Sequence, residues 1–214
     1  MGCRLHERRG LATDPDIVAK GLVLGLSIAA PVGPIGLLCI RRTLQNGMPS
    51  GFASGLGAAT ADTLFGCLAA AGLAAVSGFL VEQQTLLRLV GGAFLCYLGV
   101  STALSCPALA APRLTAAGLA RDYASTLGLT LTNPMTIIVF TALLATVGSV
   151  GNRGDAASLI VGVFVGSALW WLFLSTLVSL VRTSLRPVHL LWVNRAAGLA
   201  IAVFGTVTVV GALA

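Results

Sequence analysis

Charge is scarce in this chain. Acidic and basic residues make up 9% of its 214 residues, against roughly 25% in a soluble domain, so a water-facing surface of the ordinary kind cannot be built from this stock. Histidine is almost missing: His6 and His189 stand alone, outside the long apolar stretches, and no zinc pattern can be assembled from them. The five cysteines (Cys3, Cys39, Cys67, Cys96 and Cys106) contain no CxxC pair. An odd and scattered set of this kind reads as small apolar residues, not as a disulfide framework. No metal and no cofactor is expected. Aromatic residues are few as well, at 6%, and none interleaves with a basic run, so the +6 net charge does not describe a nucleic-acid face.

What the chain has is apolar length. Hydrophobic residues reach 57% and the mean hydropathy is +0.96. A hydrocarbon core of about 30 Å takes roughly 20 helical residues to cross, and six stretches qualify, near 18–40, 51–80, 86–104, 123–150, 156–181 and 193–213. In lipid every backbone polar group must be satisfied internally, so these are helices. The expected fold class is an all-α polytopic membrane protein with six transmembrane helices. Residues 1–16 read as an N-terminal extension and 17–214 as one membrane domain. The start resembles a myristoylation signal but fails at His6, where Ser or Thr is needed. Residues 17–40 are too long for the h-region of a signal peptide.

Basic residues gather on one side of these spans, where the positive-inside effect puts them. Arg41 and Arg42 follow span 1, Arg113 and Arg121 precede span 4, and Arg182, Arg186 and Arg195 lie around the connection of spans 5 and 6. The opposite short connections hold Arg88 and Arg153. The expected orientation is N-out and C-out, although Arg4, Arg8, Arg9 and Lys20 of the N-terminal segment run against it.

One phrase occurs twice. "LGLSIAAP", Leu24 to Pro31, returns as "LGLTLTNP", Leu127 to Pro134, at an offset of 103 residues. Spans 3 and 6 match too, with Gly92 and Gly99 answered by Gly198 and Gly205, and Arg88 by Arg195. Repeat 1 covers about 17–104, a connection 105–122, and repeat 2 about 123–214. Three spans per repeat is odd, so the second copy enters the membrane from the other face: an inverted repeat. Proline- or glycine-interrupted helices in matching positions of such repeats mark a transporter's binding site. Proline lacks an N–H and displaces the carbonyl four residues back. Freed backbone groups are tolerated in a membrane only inside protein or along a water-lined cavity. Pro31, Gly33, Pro34 and Gly36 open span 1, and Thr130, Thr132, Asn133 and Pro134, with Thr136 nearby, open span 4. These are the candidate substrate-binding residues.

The one carboxylate well inside an apolar stretch is Asp62, in "GLGAATADTLFG". A charge at a helix centre costs at least about 2.5–3.5 kcal/mol on insertion scales. Gly51, Gly55, Ala58 or Ala59, Asp62 and Gly66 share a helical face, and small residues let another helix approach, so Asp62 is expected to face the bundle interior. Its candidate roles are proton coupling, counter-ion to a cationic substrate group, or both in turn; a protonated or Arg-paired structural aspartate is the plainer alternative.

With "GLSIAAPVGPIGLLCIRRTLQNG", "GLGAATADTLFG" and "TLTNP" in this order, the chain from about Ile17 onward resembles the LysE family of small bacterial amino-acid exporters. The family's "SPGP" stands here as "APVGP", with Ala30 for the serine and Val32 inserted. The resemblance implies an inverted 3+3 arrangement, proton-driven efflux of amino acids or small zwitterionic or cationic relatives across the bacterial inner membrane, and a homodimer. Three other classes compete. A thiol–disulfide conductor needs cysteines beside the broken helices, where Ala30 and Asn133 stand. An exporter of metal or inorganic cations needs several carboxylates or His and Cys clusters. An intramembrane enzyme needs an activated nucleophile or an acid–base pair, and none is present in the spans.

Overall fold

The computed structural model of the protein describes residues 15–31, 33–70, 83–104, 114–133, 136, 153–182 and 187–213. All regular structure among them is helical: α1 Pro15–Ala29, α2 Pro34–Asn46, α3 Met48–Ala70, α4 Gln84–Leu104, α5 Ala116–Leu131, α6 Arg153–Arg182 and α7 Pro187–Leu213. Among the described residues, three helices are long and apolar enough to cross a membrane: Thr85–Leu104 in α4, Gly154–Arg182 in α6 and Leu191–Leu213 in α7. The pair α1 and α2 passes the same test as one broken unit, bent by 82°. Pro134, residues 71–82 and residues 137–152 lie outside the described set, so the far ends expected for spans 2 and 4 do as well.

The helix starts differ from the sequence expectation where local chemistry moves them. Helix α5 begins at Ala116, inside the expected connection 105–122, because Thr115 caps it: its side-chain oxygen accepts from the Gly118 amide at 3.1 Å. Helix α2 runs on to Asn46, so Arg41 and Arg42 lie within a helix rather than in a solvated flank. It ends at Gly47, whose φ of 90° suits a residue without Cβ, and whose amide donates to the Thr43 carbonyl at 2.9 Å.

Chain direction follows from which residues meet. Gly21 lies against Gly162, and Gly25 against Val163 and Ser167, so α1 and α6 run parallel. Helix α3 runs against α6, since Gly51 meets Ser175, Gly55 meets Trp171, and Asp62 meets Ser167. Helices α1 and α3 therefore run in opposite senses. Helices α3 and α5 are parallel, joined by Ser50 with Asp122 and by Gly57 with Leu127.

Helices α4 and α7 cross antiparallel through the four repeat glycines. A Cβ on Gly99 would lie 2.7 Å from the Gly198 carbonyl oxygen, and one on Gly198 at 2.7 Å from that of Gly99. The corresponding distances for Gly92 and Gly205 are 3.0 and 2.8 Å. Only glycine permits this approach. The core between the layers holds Leu38, Cys39, Ala59, Leu95, Leu129 and Ile201. The outward faces of α6 and α7 carry exposed Phe173, Leu177, Leu180, Leu199, Val203 and Val207. Such a surface suits lipid and would be far too apolar for water.

Candidate functional site

The proline break between α1 and α2 opens onto a cavity of about 220 Å³. Helix α1 stops at Ala29, with the Ala30 amide closing its last turn onto Leu26 at 2.9 Å. Helix α2 starts anew at Pro34, with extended Gly33 (φ −103°, ψ −164°) at its N-cap. Gly33 has no side chain to cap the helix, and the first amides of any helix lack an intrahelical acceptor. Gly33 therefore offers the Ile35 and Gly36 amides no capping side chain. Gly33, Pro34, Ile35 and Gly36 all line the cavity, as does Pro31.

The cavity also receives Asp62 from α3, Thr130 and Asn133 from the end of α5, and Thr136 beyond it. Asp62 is 4% exposed, and its Oδ2 accepts a hydrogen bond from the Ser167 hydroxyl of α6 at 2.8 Å. Ala58 and Ala59, one turn back on α3, are buried too, so the small-residue face points inward as expected. Gly66 has nothing within 4 Å of an added Cβ and takes no part in that packing. Thr130 directs its own hydroxyl proton to the Thr126 carbonyl at 2.8 Å, leaving its oxygen free to accept.

Thr132 is the described candidate that is not on the wall. Its hydroxyl donates to the Gly128 carbonyl at 2.9 Å, and its backbone oxygen packs against Gly91 of α4. Its place is at the end of α5, where it ties off the last carbonyls. Pro134 lies outside the described residues.

Two further groups escape a reading of the sequence. Arg42 is buried, and its guanidinium is the hub of a network across three helices. Nε pairs with Asp122 Oδ1 at 3.3 Å. One terminal nitrogen donates to Ser54 Oγ, the Asp122 carbonyl and Thr126 Oγ1, each at 2.8 Å. The other reaches Ser125 Oγ at 2.7 Å. Ser50 completes the set by donating to Asp122 Oδ2 at 2.5 Å. A buried carboxylate or guanidinium is tolerable only when paired and hydrogen-bonded, and here both are. The second group is Trp171, a buried cavity-lining residue on α6, one turn from Ser167. The signal for both is spatial: Arg42 and Asp122 stand 80 residues apart.

Among the described residues, no three His, Cys, Asp or Glu side chains come together as metal ligands would. The arrangement has instead one buried carboxylate and one uncapped helix start on the wall of a single small cavity. That suits a molecule with a positive and a negative end. A helical protein with apolar, membrane-length helices and a broken helix pair at such a cavity fits the transporter class. The chain belongs to the LysE type translocator family, whose model matches residues 26–211. It is 29% identical over 198 residues to the "Putative amino acid efflux protein YcgF" of Bacillus subtilis (strain 168), covering 89% of this chain and 93% of that protein. No solved structure matches it.

Proposed function

We propose that the protein exports amino acids, or small zwitterionic or cationic relatives, across the bacterial plasma membrane in exchange for protons. The observation that carries this reading is the meeting of Asp62 with the uncapped start of α2 on one cavity wall. A helix N-terminus favours an anion through its free amides and its dipole, which suits the substrate carboxylate. Asp62 holds the amino group or a proton, but not both together, and that exclusion is the coupling. The Bacillus relative, named for amino acid efflux, supports the substrate class.

Six crossings arranged as two inverted repeats fit the packing. Under a pseudo-two-fold, the α1–α6 pair exchanges with α3–α5, and both are parallel. The antiparallel α4–α7 pair maps onto itself, Gly92 with Gly205 becoming Gly198 with Gly99. Pro31, Gly33, Pro34 and Gly36 are then the break in repeat 1, and Thr130, Asn133 and Pro134 the break in repeat 2. The Arg-rich ends face the cytoplasm, with both termini outside. Rocking of one repeat on the other exposes the cavity to each side in turn.

The test is efflux from cells preloaded with labelled amino acids, with and without a protonophore, for the wild type and Asp62→Asn at matched membrane levels. The wild type is expected to lose one or a few amino acids in a protonophore-sensitive manner, and the variant to insert but not couple. A normal gradient-driven rate in Asp62→Asn would remove the coupling role.

A further inference from the structure

The cavity that holds Asp62 is apolar over most of its wall, with Thr130, Asn133 and Thr136 as its uncharged polar groups, and this bears on the exported amino acid, given the exporter reading above. Ile28 and Ala29 of α1, Ile35 of α2, Trp171 of α6 and Phe204 of α7 surround the polar groups. Among the described lining residues, Asp62 is the one charged side chain. The buried cation of α2, Arg42, is already committed to Asp122 and its neighbours.

A basic side chain would need a second anion beyond Asp62, and an acidic one would need a cation. Burying either charge against apolar walls without a partner is costly. Size narrows the choice further. A cavity of about 150 Å³ lined by Leu, Ile and Phe takes one benzene, so at the same packing 220 Å³ takes roughly nine non-hydrogen atoms, the count in leucine.

We infer that the substrate is a neutral amino acid with an apolar side chain of about leucine's size, and that Trp171 is the residue limiting that size. Trp171 is suited to the task because it is fixed. It is 4% exposed, and its ring is wedged over Gly55, where an added Cβ would come within 2.5 Å of the indole Cγ. It stands one turn from Ser167, the partner of Asp62, so the wall and the amino-group anchor are borne on the same stretch of α6.

The experiment preloads cells with labelled dipeptides that release alanine, valine, leucine, methionine, phenylalanine, lysine or glutamate, and follows efflux. One methylene in an apolar pocket changes selection roughly 10- to 200-fold. Leucine, valine and methionine are therefore expected to leave at least about tenfold faster than alanine, with lysine and glutamate slower still. In Trp171→Ala the ratio of phenylalanine to leucine efflux is expected to rise by about tenfold, while Trp171→Phe keeps the wild-type order. Trp171→Leu, which retains an apolar side chain over Gly55, carries the same comparison if Trp171→Ala does not insert. Lysine or glutamate efflux equal to that of leucine would overturn the neutral-substrate inference and leave the exporter reading standing. An unchanged preference in inserted Trp171→Ala or Trp171→Leu would overturn the role of Trp171. No efflux of any amino acid by inserted wild-type protein would remove the exporter reading, and the inference with it.

Discussion

Removing Arg42 should be among the most damaging single changes available to this protein. Arg42→Ala deletes an ion pair and four hydrogen bonds at once. It leaves the Asp122 carboxylate, whose side chain is only 17% exposed, with Ser50 as its remaining described partner. Breaking a buried pair by deleting one member costs about 3–5 kcal/mol, mainly through the uncompensated charge left behind. The residual exposure of Asp122 puts Arg42→Ala near the lower end, about 3 kcal/mol. For a chain of this size, 1 kcal/mol moves the midpoint of thermal unfolding by roughly 2–4 °C. The expected fall for purified protein in detergent is thus about 6–12 °C. Arg42→Lys should recover part of it, since an ammonium has three donors and no planar fork. The decisive measurement is the double-mutant cycle with Asp122→Ala. Loss of both partners should cost less than the sum of the single losses, by at least about 1 kcal/mol. Strictly additive effects, or an Arg42→Ala midpoint within 2 °C of wild type, would refute the reasoning.

Two other expectations concern packing and orientation. Gly99→Ala sets a methyl 2.7 Å from the Gly198 carbonyl and 2.5 Å from the Ala202 amide nitrogen, so it should force α4 and α7 apart and cost about 1–3 kcal/mol. Gly211→Ala, with nothing within 4 Å, should leave the detergent unfolding midpoint unchanged, and equal midpoints for the two variants would contradict the crossing described. A C-terminal alkaline phosphatase fusion should be active and a C-terminal green fluorescent fusion dark, as an outside C-terminus requires; the opposite pattern would reverse the orientation.

The parts legible in the sequence are those written in local chemistry. Pro31 and Pro34 break a helix wherever they stand, so the end of α1 and start of α2 could be read directly. The seven-residue glycine spacing could be read as a repeat but not as a contact, and the structure adds that Gly92, Gly99, Gly198 and Gly205 meet in one crossing. Asp62 could be assigned to the interior because a carboxylate in lipid has nowhere else to go. Arg42 was harder. Beside Arg41 at the end of an apolar run it has the look of a cytoplasmic flank, and what buries it is a carboxylate brought in by another helix. Trp171 is harder still, since adjacent Trp170 and Trp171 are equivalent as letters. Only the seating of Trp171 over Gly55 on α3 separates them.

The distance in sequence between partners has a consequence for how the protein is made. Arg42 finds Asp122 80 residues later, and Asp62 finds Ser167 105 residues later. At about 5–20 residues per second, a ribosome leaves Arg42 waiting roughly 4–16 s for its counter-charge, and Asp62 slightly longer for its hydroxyl. Asp62 cannot settle in lipid alone without the penalty of a solitary ionisable group. Helix α1 is in the same position, because its packing partner α6 begins at Arg153. The first half of the chain is therefore an incomplete packing unit until the second half arrives. A nascent chain stalled before residue 122 therefore carries Arg42 without the carboxylate that pairs it in the fold.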